Sequence, residues 1–258
     1  MPWIEANGTS LRYGLSGSGK KTVVLMHELG GCIESFDDTL PDLAKDFRVL
    51  RYDQCGFGLS EKVKNLTFQK VIADLASLLD ALEIRDPICL AGCARGSDFC
   101  AGFAAAHPQR VAKLVLASPD IGEMRMATRS LTRAARMETV GVRSTLETSL
   151  AISYPEAVRA FDIERFNRFA ARWVCNTPAS FMAQAKMMSQ VDLTTEYPKI
   201  QAKTLVIGAT HDGQRSIDVA RQVAQAINGA CLVECNTGHF MAVQTPELFA
   251  EVVRNFFN

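Results

Sequence analysis

The segment Gly92-Cys93-Ala94-Arg95-Gly96 follows an apolar run, residues 87–91, and precedes a helical stretch. Strand, G-x-X-x-G, helix is the pattern of a tight, strained turn that lifts its central side chain clear of a sheet, and small flanking residues let the chain fold that closely. The chemistry of such a tip is nucleophilic attack, which needs a hydroxyl or thiol and a base to take its proton. The residue at the tip is Ala94, and a methyl group attacks nothing. Cys93 and Ser97 lie one residue before and three after, so they point elsewhere, with Cys93 expected to pack beneath the turn. Bases are few, since the four histidines stand at 27, 107, 211 and 239.

Two further groups could act on a substrate. Glu28 lies in His27-Glu28-Leu29-Gly30-Gly31, just after another apolar run. In a closed pocket its pKa would rise toward the range useful for acid–base work; the plainer expectation is that it turns away and bonds loop backbone. Arg125, Arg129, Arg133 and Arg136 recur at spacings of four, four and three, which places them on one face of a helix. Guanidinium groups hold carboxylates bidentately. Arg125, Arg129 and Arg133 are therefore substrate-binding candidates, against the simpler alternative of a solvated helix face. Trp173 and the nearby Phe161, Phe166, Phe169 and Phe181 supply apolar bulk for the core and for a pocket wall.

The elements that would position these residues alternate in type. Strand-like runs at 22–26, 48–52, 88–91, 113–117, 204–207 and 231–234 are separated by helical stretches at 67–82, 98–106, 217–227 and 246–256. Near-continuous apolar strands alternating with helices indicate an α/β fold with a mostly parallel sheet covered on both faces. Two opening strands, 3–6 and 11–15, flank the turn Asn7-Gly8. From 122 to 197 no strand is evident. This stretch reads as a helical lid inserted into a single core domain made of residues 1–121 and 198–258.

Composition narrows the function classes. Lysine plus arginine and aspartate plus glutamate each number 28, so the whole chain carries no field that favours nucleic acid or an anionic membrane. No apolar run is long enough to span a bilayer, and the first residues lack a basic segment followed by an apolar one. A cytoplasmic location is the expectation. Eight cysteines show no C-x-x-C spacing. They are read as small buried hydrophobes in a reducing compartment, with no metal site.

Taken in order, five segments resemble the α/β-hydrolase superfamily: the 27–31 loop, Asp53-Gln54-Cys55-Gly56-Phe57-Gly58-Leu59-Ser60, the turn at Ala94, Thr210-His211-Asp212-Gly213 and Thr237-Gly238-His239-Phe240. The chain is most similar to small lidded, cofactor-free enzymes such as β-ketoadipate enol-lactone hydrolases. The resemblance implies an α/β-hydrolase fold with a mostly parallel eight-stranded sheet, helices on both faces and a helical lid. It implies no cofactor. It also implies that Asp212 orients His239, that the backbone N–H groups of Leu29 and Arg95 form an oxyanion hole, and that the turn carries a nucleophilic serine. Ala94 departs from that pattern, as do Glu28, where glycine is usual, and Cys55, where arginine is usual. Asp120 is a second position for the acid; His211 reads as a turn residue and His107 as structural.

The expected activity is hydrolysis of a small carbonyl compound (enol-lactone, ester, amide or C–C bond), partly apolar and carboxylate-bearing. Either alanine replaces the nucleophilic serine in an inactivated form, or His239 with Asp212 activates water without a serine. The alternatives are a lyase, isomerase or decarboxylase that uses His239 as a proton shuttle, and a non-catalytic receptor for a small ligand. Neither nucleic acid nor membrane is an expected partner, and a homodimer is compatible with the sequence.

Overall fold

The computed structural model describes residues 2–63, 65–121 and 124–258, apart from the side chains of 124–127. Eight strands form one sheet: β1 (Trp3–Ala6), β2 (Thr9–Ser16), β3 (Thr22–Met26), β4 (Arg48–Tyr52), β5 (Ile88–Cys93), β6 (Val111–Ala117), β7 (Lys203–Ala209) and β8 (Cys231–Cys235). Their order is β1-β2-β4-β3-β5-β6-β7-β8. β1 and β2 pair antiparallel, β2 joins β4 antiparallel, and every other pairing is parallel. Asn7 and Gly8 both have positive φ, 51° and 65°, the signature of the two-residue turn whose twist matches its flanking strands.

Alternate residues of the central strands feed two cores, because successive side chains of a strand leave opposite faces. Val24, Met26, Leu90, Leu114 and Val206 face one core, with α1 (Phe68–Ala81), α2 (Arg95–Ala106) and, further along the chain, Ile217–Ala226 packed over it. Val23, Leu25, Ala91, Val115 and Ile207 face the other, under Pro246–Phe257. β3 and β5 are buried at every position, so parallel pairing here depends on cover from both sides.

Between β6 and β7 the described chain is helical: α3 (Met124–Val140), α4 (Ile163–Val174) and α5 (Pro178–Met188), with shorter turns between them. Phe166, Phe169 and Trp173 of α4 enter the second core. Polar ties hold this segment down. Asn176 Nδ2 donates to the Gly30 carbonyl at 2.8 Å, and Arg165 pairs with Glu247 at 3.2 Å. Among the described residues no helix is long and apolar enough to cross a membrane.

The helix after the turn begins at Arg95, three residues earlier than its sequence suggests. Arg95-Gly96-Ser97 is a weak helix opening by propensity, and tertiary contact overrides it. Gly96 lies so close to the end of β3 that an added Cβ would stand 2.0 Å from the Met26 carbonyl oxygen. A Cβ added at Gly92 would likewise stand 2.4 Å from the Gly96 carbonyl carbon. We expect Gly96→Ala to lower the stability measured by urea unfolding by about 1–3 kcal/mol, the usual cost of overpacking. An unchanged midpoint would show that β3 and α2 can move apart.

Candidate functional site

Ala94 sits at the tip of the turn between β5 and α2 with φ 51° and ψ −116°, outside the regions an alanine prefers. Such a conformation costs on the order of 1–3 kcal/mol and persists only where its surroundings impose it. Here they do. The Ala94 amide donates to the Ala117 carbonyl of β6 at 2.9 Å. The Ala94 carbonyl accepts from the Ser97 amide at 3.1 Å and from the Ser97 hydroxyl at 2.6 Å. The second of these bonds commits the Ser97 hydroxyl to the turn. Cys93 points below the tip, its thiol 3.4 Å from the His239 carbonyl, and burial pushes that thiol up to about 12. Neither neighbour replaces the missing hydroxyl.

His239 and Asp212 meet across the ends of β8 and β7. His239 Nδ1 lies 2.8 Å from Asp212 Oδ2, which leaves Nε2 as the ring's free nitrogen. Asp212 Oδ1 accepts from the amides of Gln214 and Arg215 at 2.8 and 2.9 Å. Burial alone would raise the Asp212 pKa, but the imidazole and these two amides reverse that and hold it at about 2. The acid is therefore fixed in position and charge. Asp120, the other sequence candidate, instead accepts from Arg215 Nη2 at 3.2 Å.

Arg215 ties the site together. Its guanidinium bonds both oxygens of Asp98 on α2, at 3.2 and 2.8 Å, and the Ser118 carbonyl at 2.6 Å. Burial would lower its pKa, but Asp98 and Asp120 outweigh that and raise it. One side chain thus clamps the turn bearing Asp212 to the helix behind Ala94 and to the end of β6. No local pattern reveals this, because Asp98 and Arg215 are 117 residues apart.

Leu29 occupies a turn closed by the Gly31 amide on the Glu28 carbonyl at 3.0 Å. Arg95 opens α2, where helix geometry leaves the first amides without intrahelical partners. Both residues line a cavity with Ala94 and His239, and Arg133, Ser153 and Trp173 from the segment between β6 and β7 line it too. The free space is about 30 Å³, room for little more than a water molecule.

The structure does not bring Glu28 into this lining. The turn reverses direction after it, so its carboxylate runs beneath the loop and accepts from the Ser35 hydroxyl at 2.7 Å. That makes Glu28 a support for the loop rather than a group in contact with the cavity. Arg133 does reach the cavity, and among the described residues it makes no hydrogen bond or ion pair. Burial, with Arg95 and Arg129 nearby, lowers its pKa to about 10. Arg129 is half-buried outside the lining, Arg136 is exposed, and the side chain of Arg125 lies outside the described residues. His211 bonds Asn236 at the surface, and the His107 ring packs on Phe103.

Cys32, Glu34 and Asp53 bring three potential metal ligands within 4.8 Å of one another. Arg12 already neutralises the carboxylates, at 2.6 Å from Glu34 and 2.9 Å from Asp53, and burial raises the Cys32 thiol pKa. This cluster is an ion-pair network and a poor site for a metal.

The depressed pKa of Asp212 makes stability depend on pH. An unfolded aspartate titrates near about 3.9, so the stabilisation is complete above about pH 5 and disappears as pH falls through about 2. Asp212→Asn should therefore be less stable near neutrality by about 2 kcal/mol, with its unfolding curve meeting the parent's near pH 2. Parallel stability profiles for the two proteins would contradict this.

The chain is similar to several known proteins. Pyrrolizixenacetamide deacetylase of Xenorhabdus hominickii is 26% identical, with 99% of this chain and 97% of the relative covered. The 2-hydroxy-6-oxononadienedioate/2-hydroxy-6-oxononatrienedioate hydrolase of Klebsiella pneumoniae is also 26% identical, over 98% of this chain and 93% of its own. The crystal structure of the enol-lactonase from Burkholderia xenovorans LB400 superposes with a TM-score of 0.93 at 27% identity, covering 99% of both chains. A family model described as alpha/beta hydrolase fold matches residues 21–246, nearly the whole length over which the sheet and the site are built, and the chain belongs to that family.

Proposed function

We propose that this protein is a cofactor-independent hydrolase of a small carbonyl compound bearing a carboxylate, and that its nucleophile is a water activated by His239. The observation that carries this reading is the His239–Asp212 pair. A base oriented at 2.8 Å by a charged, buried acid lines a small cavity that Ala94, Leu29 and Arg95 also line. In this mechanism Nε2 takes a proton from water as the water oxygen attacks the carbonyl carbon. The carbonyl electrons move to oxygen, where the two amides hold the charge. Collapse breaks the bond to the leaving group, and the imidazolium returns the proton to it.

Arg133 supplies the substrate preference. An unpaired guanidinium beside the cavity suits a carboxylate, which would take its two parallel hydrogen bonds. The relatives named above act on a lactone, an acetamide and an oxo-dienedioate by their names, which supports a lactone, ester, amide or C–C bond as the one cleaved. The helical stretch between β6 and β7 serves as a lid in this reading, since Ser130, Arg133, Ser153 and Trp173 all line the cavity.

A second reading has one observation in its favour. Ala94 keeps the strained backbone that serves a nucleophile, as expected where alanine replaces a catalytic serine. Turnover of phenyl acetate and of small lactones with and without a carboxylate separates the two. Water activation predicts turnover by the alanine form that His239→Ala reduces by about 10²–10⁴-fold, the usual contribution of a positioned base. An inert alanine form, with activity and an acyl-enzyme gained in Ala94→Ser, establishes the serine reading instead. Binding without turnover in both forms points to a receptor. Arg133→Met should weaken carboxylate-bearing substrates by roughly 10–100-fold, from the 1.5–3 kcal/mol of a hydrogen bond to a charged group, and leave neutral esters unchanged.

A further inference from the structure

Ser153 lies in the turn between the short helix Leu146–Leu150 and the start of the Glu156–Arg159 turn. It is 1% exposed, and its hydroxyl has no hydrogen-bond partner among the described residues. It lines the same cavity as Ala94 and His239. A buried hydroxyl left unpaired is costly, and this one borders the cavity, where a bound water or substrate can satisfy it.

Its position relative to the base is fixed by a single side chain. Gln244 Nε2 donates to the Ser153 carbonyl at 2.8 Å, and Gln244 Oε1 accepts from the Phe240 amide at 2.9 Å. Gln244 is itself buried, and a Cβ on Gly238 would come within 2.5 Å of its Oε1, so the loop bearing His239 wraps closely around the amide. The inserted segment and the histidine loop therefore hold one strut in common.

We infer that Ser153 is a further catalytic residue, a hydroxyl contributed by the insertion that holds the nucleophilic water between the Ala94 methyl and His239. This rests on the water-activation reading above. The water gives one hydrogen to His239 Nε2 and donates its other to Ser153 Oγ, which leaves a lone pair directed at the substrate carbonyl. Ser153 accepts throughout and neither gains nor loses a proton; its own hydrogen bonds the substrate. Attack forms the C–O bond, the displaced pair goes to the oxygen held by Leu29 and Arg95, and the proton on His239 leaves with the departing group. The oxygen missing from residue 94 is replaced by a water with two fixed partners.

The test uses Ser153→Ala with two readouts, phenyl acetate turnover and the affinity of phenylboronic acid. The boronic acid takes up hydroxide to give a tetrahedral anion whose hydroxyls occupy the place of the water. We expect kcat to fall about tenfold or more with KM changed less than about twofold, and boronate binding to weaken about tenfold, as loss of one hydrogen bond in a closed site implies. A folded Ser153→Ala protein with both values unchanged overturns the inference, as does an acyl group found on the Ser153 peptide by mass spectrometry. If the alanine form proves inert, the water-activation reading fails. The inference then falls with it, whereas an active alanine form whose values are unchanged by Ser153→Ala overturns the inference alone. Should Ser153→Ala fail to fold, Ser153→Cys keeps the volume, weakens the hydrogen bond and is read in the same way.

Discussion

The backbone of residue 94 is held in a conformation it would not choose, and the rest of the site is organised around that constraint. The turn can form only because β5 enters it between β3 and β6, with the Ala117 carbonyl on one side and the Met26 carbonyl close behind Gly96. The same turn starts α2, and that start is what frees the Arg95 amide. One helical turn later α2 presents Asp98, which receives Arg215 from the far end of β7. Arg215 in turn donates its amide to Asp212, and Asp212 orients His239. A single strained residue is thus tied, through Asp98, Arg215 and Asp212, to a base more than a hundred positions away in sequence.

The charges follow a consistent logic. Burying Arg215, Asp98 and Asp120 removes three ions from water, a large cost that good geometry must offset. Arg215 meets it with four hydrogen bonds, and Asp98 takes a further one from Arg95 at 2.8 Å. Arg133, which lines the same cavity, has no such acid among the described residues. Two cations of the cavity therefore differ: Arg215 is held by buried acids, while Arg133 stands without one.

Much of the fold is legible in the sequence because its signals are local. Most strands are announced by a short apolar run; the structure keeps β1, β3 and β4 at their expected bounds and lengthens the others by one to three residues where the sheet continues to pair. The turn at Ala94 and the placement of Asp212 and His239 were equally legible, since each is a short motif at a strand end. What was hidden depends on direction and distance. Glu28 had the right sequence position for the cavity, yet the chain reversal at Leu29 sends its carboxylate beneath the loop to Ser35. The Arg215–Asp98 clamp and the Gln244 strut are contacts between distant segments, with no spacing to betray them. Ser153 has an ordinary neighbourhood in sequence and acquires meaning only from the cavity it borders.

The strain at residue 94 also has an evolutionary meaning. Because sheet and helix contacts impose the turn, the backbone stays poised whether or not the side chain is reactive. Alanine and serine differ there by one oxygen, and a single base change interconverts their codons. The backbone of the turn therefore sets no barrier to exchanging the two residues.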